Sequence, residues 1–303
     1  MLNTHLPTLR NNPQARRRLH LAALAWLCLL PGLASAATLQ LFVSVLPLKT
    51  FVDKVGGEQV SVQAMVPAGQ SPATYSPSPR QIVRLAEADA YIRIGVPFES
   101  AWLQRIRSAN PDMPIIDARQ GIELQQLSSH LAHAKPDRPD AKTLDPHIWT
   151  SPPLAQRILA NLHTALVNLA PAHKATFDAG YADYRATLNE LDQHIRQQLV
   201  KLDNRYFMVF HPAWGYYADT YGLTQLAIEQ AGKSPGAKQI TTLLELAKQH
   251  DIHKIFVQPQ FNPNFAKRLA KSIGAQIVYA DPLDPAYCDT LRQLTQAIVE
   301  ASP

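Results

Sequence analysis

Cysteine is nearly absent from this chain, which holds only Cys28 and Cys288 in 303 residues. Cys28 lies in an apolar N-terminal run, and Leu27 before it is not the small residue that a lipid-attachment site wants, so no lipid anchor is read there. Cys288 is then left without a partner, which excludes an internal disulfide even in an oxidising compartment. Stability must come from apolar burial instead. No segment beyond the leader approaches the roughly 18 apolar residues that a membrane span needs. The HExxH pattern of zinc hydrolases is missing, and no short-period repeat is evident.

A surplus of charge is lacking as well, once the N-terminus is set aside. Residues 1–36 read as a secretory signal peptide: Arg16, Arg17 and Arg18 supply positive charge, 19–30 is apolar, and Ala34-Ser35-Ala36 is a small-residue cleavage site. That segment holds Arg10 and the three arginines just named but no acid. Removing its four cations from 29 leaves 25 against 24 acids, a net +1. Nothing in that balance argues for nucleic acid or a membrane surface as partner. About 267 residues remain, enough for one large or two small cores.

What is present is alternation. Short β-branched and aliphatic runs at 39–45, 60–66 and 90–95 are followed by helical patterns at 78–88 and 98–109. The second half repeats the style with strands at 206–210, 226–228, 254–257 and 275–279 and helices at 214–221, 237–250, 264–272 and 287–301. This predicts an α/β fold with parallel sheets in two (βα) lobes. Between the halves, 152–169 reads as a helix. From Pro171 to about 202 an apolar stripe of Phe177, Tyr181, Tyr184, Leu188, Leu191, Ile195 and Leu199 predicts a second one about 45 Å long at 1.5 Å per residue. The expected organisation is a leader at 1–36, an N-terminal lobe at 37–170 containing a polar loop at 128–145, a linking helix at 171–203 and a C-terminal lobe at 204–303. A stiff connector of that length predicts small relative motion of the lobes. Gly180 is its one weak point.

Ligands of open α/β sheets bind beyond the carboxyl ends of the strands. His211, Gln258 and Asp281 follow predicted strands, and His147 stands in LDPHIWTSP just before a helix. Two imidazoles and a carboxylate suit zinc, which favours four nitrogen or oxygen ligands. Spacing does not prove convergence: each histidine could be structural, Asp281 before Pro282 could form a turn, and Gln258 could simply hydrogen-bond in the crevice. His130 and His133 in the polar loop read by themselves as solvated.

Four stretches taken together are more specific: GQSPATYSPSPRQ (69–81), LDPHIWTSPPLAQRIL (144–159), FMVFHPAWGYYADTYGL (207–223) and VQPQFNPNFAKRLAKSIGAQIVYADPLDP (257–285). In order and separation they resemble the zinc- and manganese-binding solute-binding proteins of ABC importers, the ZnuA/TroA-like family. The resemblance implies two lobes joined by a long helix, a metal held between them, location in the periplasm, and delivery to a membrane permease and its ATPase. It also implies His147, His211 and Asp281 as metal ligands, with Zn²⁺ as the cargo ahead of Mn²⁺ because histidine stands at 211. Tyr75, Trp149, Trp214 and Gln258 are expected to line the cleft, and the protein to act as a monomer.

Two positions depart from the family pattern. Ala73 stands where the first histidine ligand is usual, and an alanine cannot bind metal, so His130, His133 or Glu99 is an additional candidate donor. Pro212 stands where many relatives carry an acid beside the histidine, which removes one group that would orient its ring. Binding without turnover is the leading expectation. A binder of a chelated metal or other small ligand on the same fold is the alternative that Ala73 raises, and a zinc-dependent hydrolase is a minor one.

Overall fold

The aliphatic runs of the inner strands are buried on both faces, as parallel sheets require, while two edge strands, Ile115–Asp117 and Gln276–Tyr279, are only partly covered. The computed structural model describes residues 38–127, 144–229 and 235–301, and everything from Thr38 onward clusters as one unit. In the first lobe β1 (Leu39–Val43), β2 (Val60–Ala64), β3 (Ala90–Arg93) and β4 (Ile115–Asp117) pair in the order β2-β1-β3-β4. In the second, β5 (Tyr206–Val209), β6 (Thr224–Ala227), β7 (Lys254–Val257) and β8 (Gln276–Tyr279) pair in the order β6-β5-β7-β8. Every pairing is parallel. Each sheet therefore changes direction of strand progression once, between β1 and β3 and between β5 and β7. At those points connections leave toward opposite faces and a crevice opens beyond the strand ends. Ser44 and Ile94 stand there in the first lobe, His211 and Gln258 in the second.

Proline sets many of the helix starts. α1 (Leu46–Gly56), α2 (Pro79–Leu85), α3 (Pro97–Ala109) and α4 (Pro152–Leu169) all carry it in their first two positions, where a missing N–H costs nothing. Ser78 and Gln81 add a reciprocal capping box to α2. α5 (Lys174–Leu199) is the long connector, 26 residues and about 39 Å. A 3₁₀ turn at Pro171–His173 precedes it, so it is shorter than the apolar stripe alone suggested. Phe177, Tyr184, Leu188, Leu191, Ile195 and Leu199 form its buried face. α6 (Gly215–Tyr221), α7 (Ala237–Gln249), α8 (Asn264–Ile273) and α9 (Tyr287–Val299) complete the second lobe. α5 packs on both α1 and α9 and so joins the first lobe to the inner face of the second in one hydrophobic cluster, while the outer face of the second sheet packs a separate one with α7 and α8.

Two elements went unread in the sequence. β4 is only three residues long and lies at a sheet edge. α1 begins immediately after the first strand, with only Ser44 and Val45 between, so its apolar residues merged with the strand run that was read through 45.

Segment 144–151 leaves the first lobe but is fastened to the second. The Asp145 carbonyl accepts from the Tyr216 hydroxyl at 3.0 Å, and Trp149 Nε1 donates to the Pro282 carbonyl at 2.7 Å. The Tyr287 hydroxyl donates to the Trp149 carbonyl at 2.8 Å, and the hydroxyls of Ser151 and Thr220 lie 2.8 Å apart. Leu144 and Asp145, expected within the polar loop, instead begin this fastened stretch: Leu144 bridges antiparallel to Gln126, and Asp145 N donates to the Gln125 carbonyl.

Gly180 has a packing role rather than being a defect of the connector. A Cβ there would lie 2.6 Å from the carbonyl oxygens of Lys54 and Val55, so α5 can approach α1 only without a side chain at this point. Gly180→Ala is expected to lower unfolding stability by about 2 kcal/mol despite alanine's better helix propensity. Denaturant unfolding checks this, and a neutral or stabilising effect would show that the close approach is not needed.

Candidate metal centre

The fastened segment brings His147 against His211, with ring centroids 5.3 Å apart and planes at 76°. His147 Nδ1 lies 2.7 Å from Asp145 Oδ1, which also accepts from the His147 main-chain N–H at 2.9 Å. Asp145 is buried, and its other oxygen fits under the turn into α6 because residue 215 is glycine: a Cβ there would meet Asp145 Oδ2 at 2.9 Å. His211 Nδ1 lies 3.2 Å from Glu229 Oε2, and Glu229 is likewise buried. An ionised carboxylate only accepts, so each pairing puts the ring proton on Nδ1 and leaves the lone pair on Nε2, the form that binds metal.

His211 is held in other ways too. Its N–H donates to Gln258 Oε1 at 3.3 Å and its carbonyl accepts from Gln258 Nε2 at 3.0 Å, so one amide clamps the backbone in both directions. Phe261 stacks on the ring at 5.0 Å. Burial pushes the His211 pKa below its usual 6.5, against the opposing hydrogen bond from Glu229, with His147 adding a further lowering. Burial thus favours the neutral ring, the form that a metal ligand must take.

Asp281 lies beside Trp149, the neighbour of His147, but is not part of this pair. Its Oδ1 accepts from Gln260 Nε2 at 2.8 Å and from the Leu283 N–H at 2.9 Å, and its Oδ2 from Gln260 Nε2 at 2.9 Å. Burial raises its pKa, with those hydrogen bonds opposing. Among the described residues no three His, Cys, Asp or Glu side chains are grouped closely enough to share an ion. The expected meeting of His147, His211 and Asp281 at one point is therefore not formed in this structure, and only the two histidines are paired.

The remaining expectations divide. Glu99 is not available as a donor: it is buried, and its carboxylate accepts from Ser44 Oγ at 2.6 Å, Ile94 N and Gly95 N each at 2.9 Å and Arg93 Nε at 3.0 Å. It fills the first lobe's own crevice between β1 and β3. Tyr75 is occupied within that lobe, donating to Gln81 and meeting the Phe98 ring edge-on. Trp149 lies edge-on to His147 at 5.3 Å, and Trp214 is fully buried with Trp149 beside Asp281. Ala73 sits in an exposed turn, its N–H on Ser71 Oγ. His130 and His133 lie outside the described residues.

Asp145 and Glu229 are the residues that sequence reasoning missed. Each had a signal: Asp145 is the acid of the DPH triplet, and Glu229 follows β6, on the strand next to the one that carries His211. Glu229 supplies the orienting carboxylate that Pro212 cannot.

Two α/β lobes braced by one long helix, with a pair of carboxylate-oriented imidazoles at the switch point, define a metal-binding solute-binding protein. The family model described as zinc-uptake complex component A, periplasmic, matches residues 41–301. The chain belongs to this ZnuA family. A crystal structure of ZnuA superposes with a TM-score of 0.80 at 34% identity, covering 87% of this chain and 99% of that one. A zinc-bound ZnuA lacking residues 138–173 of its own numbering gives 0.80 at 35%, covering 88% and 98%. Among curated relatives, the high-affinity zinc uptake system protein ZnuA of Yersinia pestis is 25% identical, covering 88% of this chain and 92% of its own. The protein of that name from Bacillus subtilis is 26% identical, covering 78% and 76%.

Glu229→Gln keeps the size of the side chain but removes its charge, loosening the hold on His211. Zinc affinity is expected to fall about 10- to 100-fold with the fold intact, measured by competition against a fluorescent chelator. Unchanged affinity would mean that His211 is held adequately by Gln258 and Phe261 alone.

Proposed function

We propose that this protein captures Zn²⁺ outside the cytoplasm and hands it to an ABC permease and its ATPase, binding the ion without chemical turnover. The observation that carries this is the pair of facing imidazoles, each with Nδ1 committed to a buried carboxylate. His147 and His211 supply two nitrogen donors, and Asp281 a carboxylate oxygen once it turns from Gln260. Two imidazoles favour zinc over manganese, which prefers oxygen-rich sites. The carboxylates nearest the rings, Asp145 and Glu229, are spent on orientation, so neither is free to act as the general base that hydrolysis would need. The zinc-uptake relatives support the same reading. The proposed site draws all its ligands from one chain, so a monomer would suffice for binding.

A second reading has one observation in its favour. Ala73 supplies no donor where the family usually has histidine, so a zinc ion arriving with its own small chelating ligand could keep that ligand in the open position.

Chelator-stripped protein titrated with Zn²⁺ at neutral pH tests the proposal. His211→Ala and His147→Ala should each cost roughly 100-fold or more, beyond the loss typical of an orienting residue. Affinity should also weaken as pH falls, with the His211 contribution the more resistant to acid because burial lowers its pKa. Wild-type affinity in both variants would overturn the assignment. Competition with Mn²⁺ should leave zinc bound.

A further inference from the structure

We propose that Gln260 sets the exchange rate of the zinc site by competing with the ion for Asp281, an inference that rests on the site proposed above. Asp281 is not simply distant from the histidine pair; its carboxylate is occupied. Among the described residues Oδ1 has two N–H partners, Gln260 Nε2 at 2.8 Å and Leu283 N at 2.9 Å, while Oδ2 has only Gln260 Nε2, at 2.9 Å. A carboxylate offers about four lone-pair positions, and a donating N–H and a cation both want them.

The two donors differ in what they can give up. Leu283 N–H belongs to the turn whose Pro282 carbonyl is bound by Trp149 Nε1, so releasing it would disturb the seal between the lobes. Gln260 is a partly exposed side chain, free to rotate into water. Oδ2 is therefore the oxygen that the ion takes, and the Gln260 bond is what it must displace.

Position couples this exchange to the first ligand. Gln260 lies in the turn between Gln258, which clamps the His211 backbone, and Phe261, which stacks on the His211 ring. That turn is closed by Phe261 N donating to the Gln258 carbonyl at 3.2 Å. Capture thus proceeds in two stages. The histidine pair takes the ion first, and Asp281 leaves Gln260 to join it. Release reverses the order, with the amide waiting to reclaim the carboxylate, which keeps the ion exchangeable.

Gln260→Leu and Gln260→Ala remove the competing donor, the first with little change of volume. Both should bind Zn²⁺ roughly tenfold more tightly and release it correspondingly more slowly to a chelator in stopped-flow measurements. In an Asp281→Ala background the same substitutions should change neither affinity nor rate. Unchanged or weaker binding in both variants, or a gain that persists without Asp281, would overturn the inference. His211→Ala run in parallel separates the two levels: if it retains affinity the site itself is misplaced, and if it loses affinity while the Gln260 variants gain none, only the competition is refuted.

Discussion

The arrangement depends on the attachment of segment 144–151 to the second lobe. His147 comes from the half of the chain that builds the first lobe, yet the residues around it are hydrogen-bonded to Tyr216, Thr220, Pro282 and Tyr287. Without that seal His147 would have no fixed relation to His211. With it, two imidazoles distant in sequence face each other at 5.3 Å. The bonds involve buried groups, where an unmade partner is costly, so the seal is difficult to open by halves.

On the proposed function, this attachment would let the site work with alanine at position 73. A donor at that place would belong to the Gly-rich loop of the first lobe. Here the histidine pair is complete without it, because both rings are fixed to the second lobe and each is oriented by its own buried acid. Binding at the proposed site would therefore require little relative movement of the lobes. The braced connector favours the same outcome, since α5 packs on α1 and α9 together and a single hydrophobic cluster runs from the first lobe to the inner face of the second. The moving parts are local: the Asp281 carboxylate and the Gln260 amide.

Much of the fold was legible because its signals are periodic. Aliphatic runs separated by proline-started helices gave seven of the eight strands in approximate position, and the three-and-four spacing of Phe177 through Leu199 gave the connector. β4 escaped because three residues carry no period, and α1 because it follows the first strand so closely. His147 and His211 were legible as residues that follow predicted strands or precede a helix, within motifs shared with a known family. Their meeting was implied by the family resemblance alone, because the hydrogen bonds that produce it, from Tyr216 to Asp145, from Trp149 to Pro282 and from Tyr287 to Trp149, are encoded by no local pattern. Glu229 was overlooked for a related reason: its role depends on β6 lying beside β5, a matter of sheet order. Glu99 shows the reverse error, a carboxylate in a suggestive place whose oxygens are taken by Ser44, Arg93 and two main-chain N–H groups.

Zinc K-edge X-ray absorption on the loaded protein tests the central claim most directly, because it counts imidazole ligands around the bound ion. The account predicts two imidazoles per zinc together with oxygen donors, and a single imidazole once the seal is broken by substituting Trp149 and Tyr287. A zinc environment without imidazole, or one that keeps both rings after the seal is removed, would contradict it.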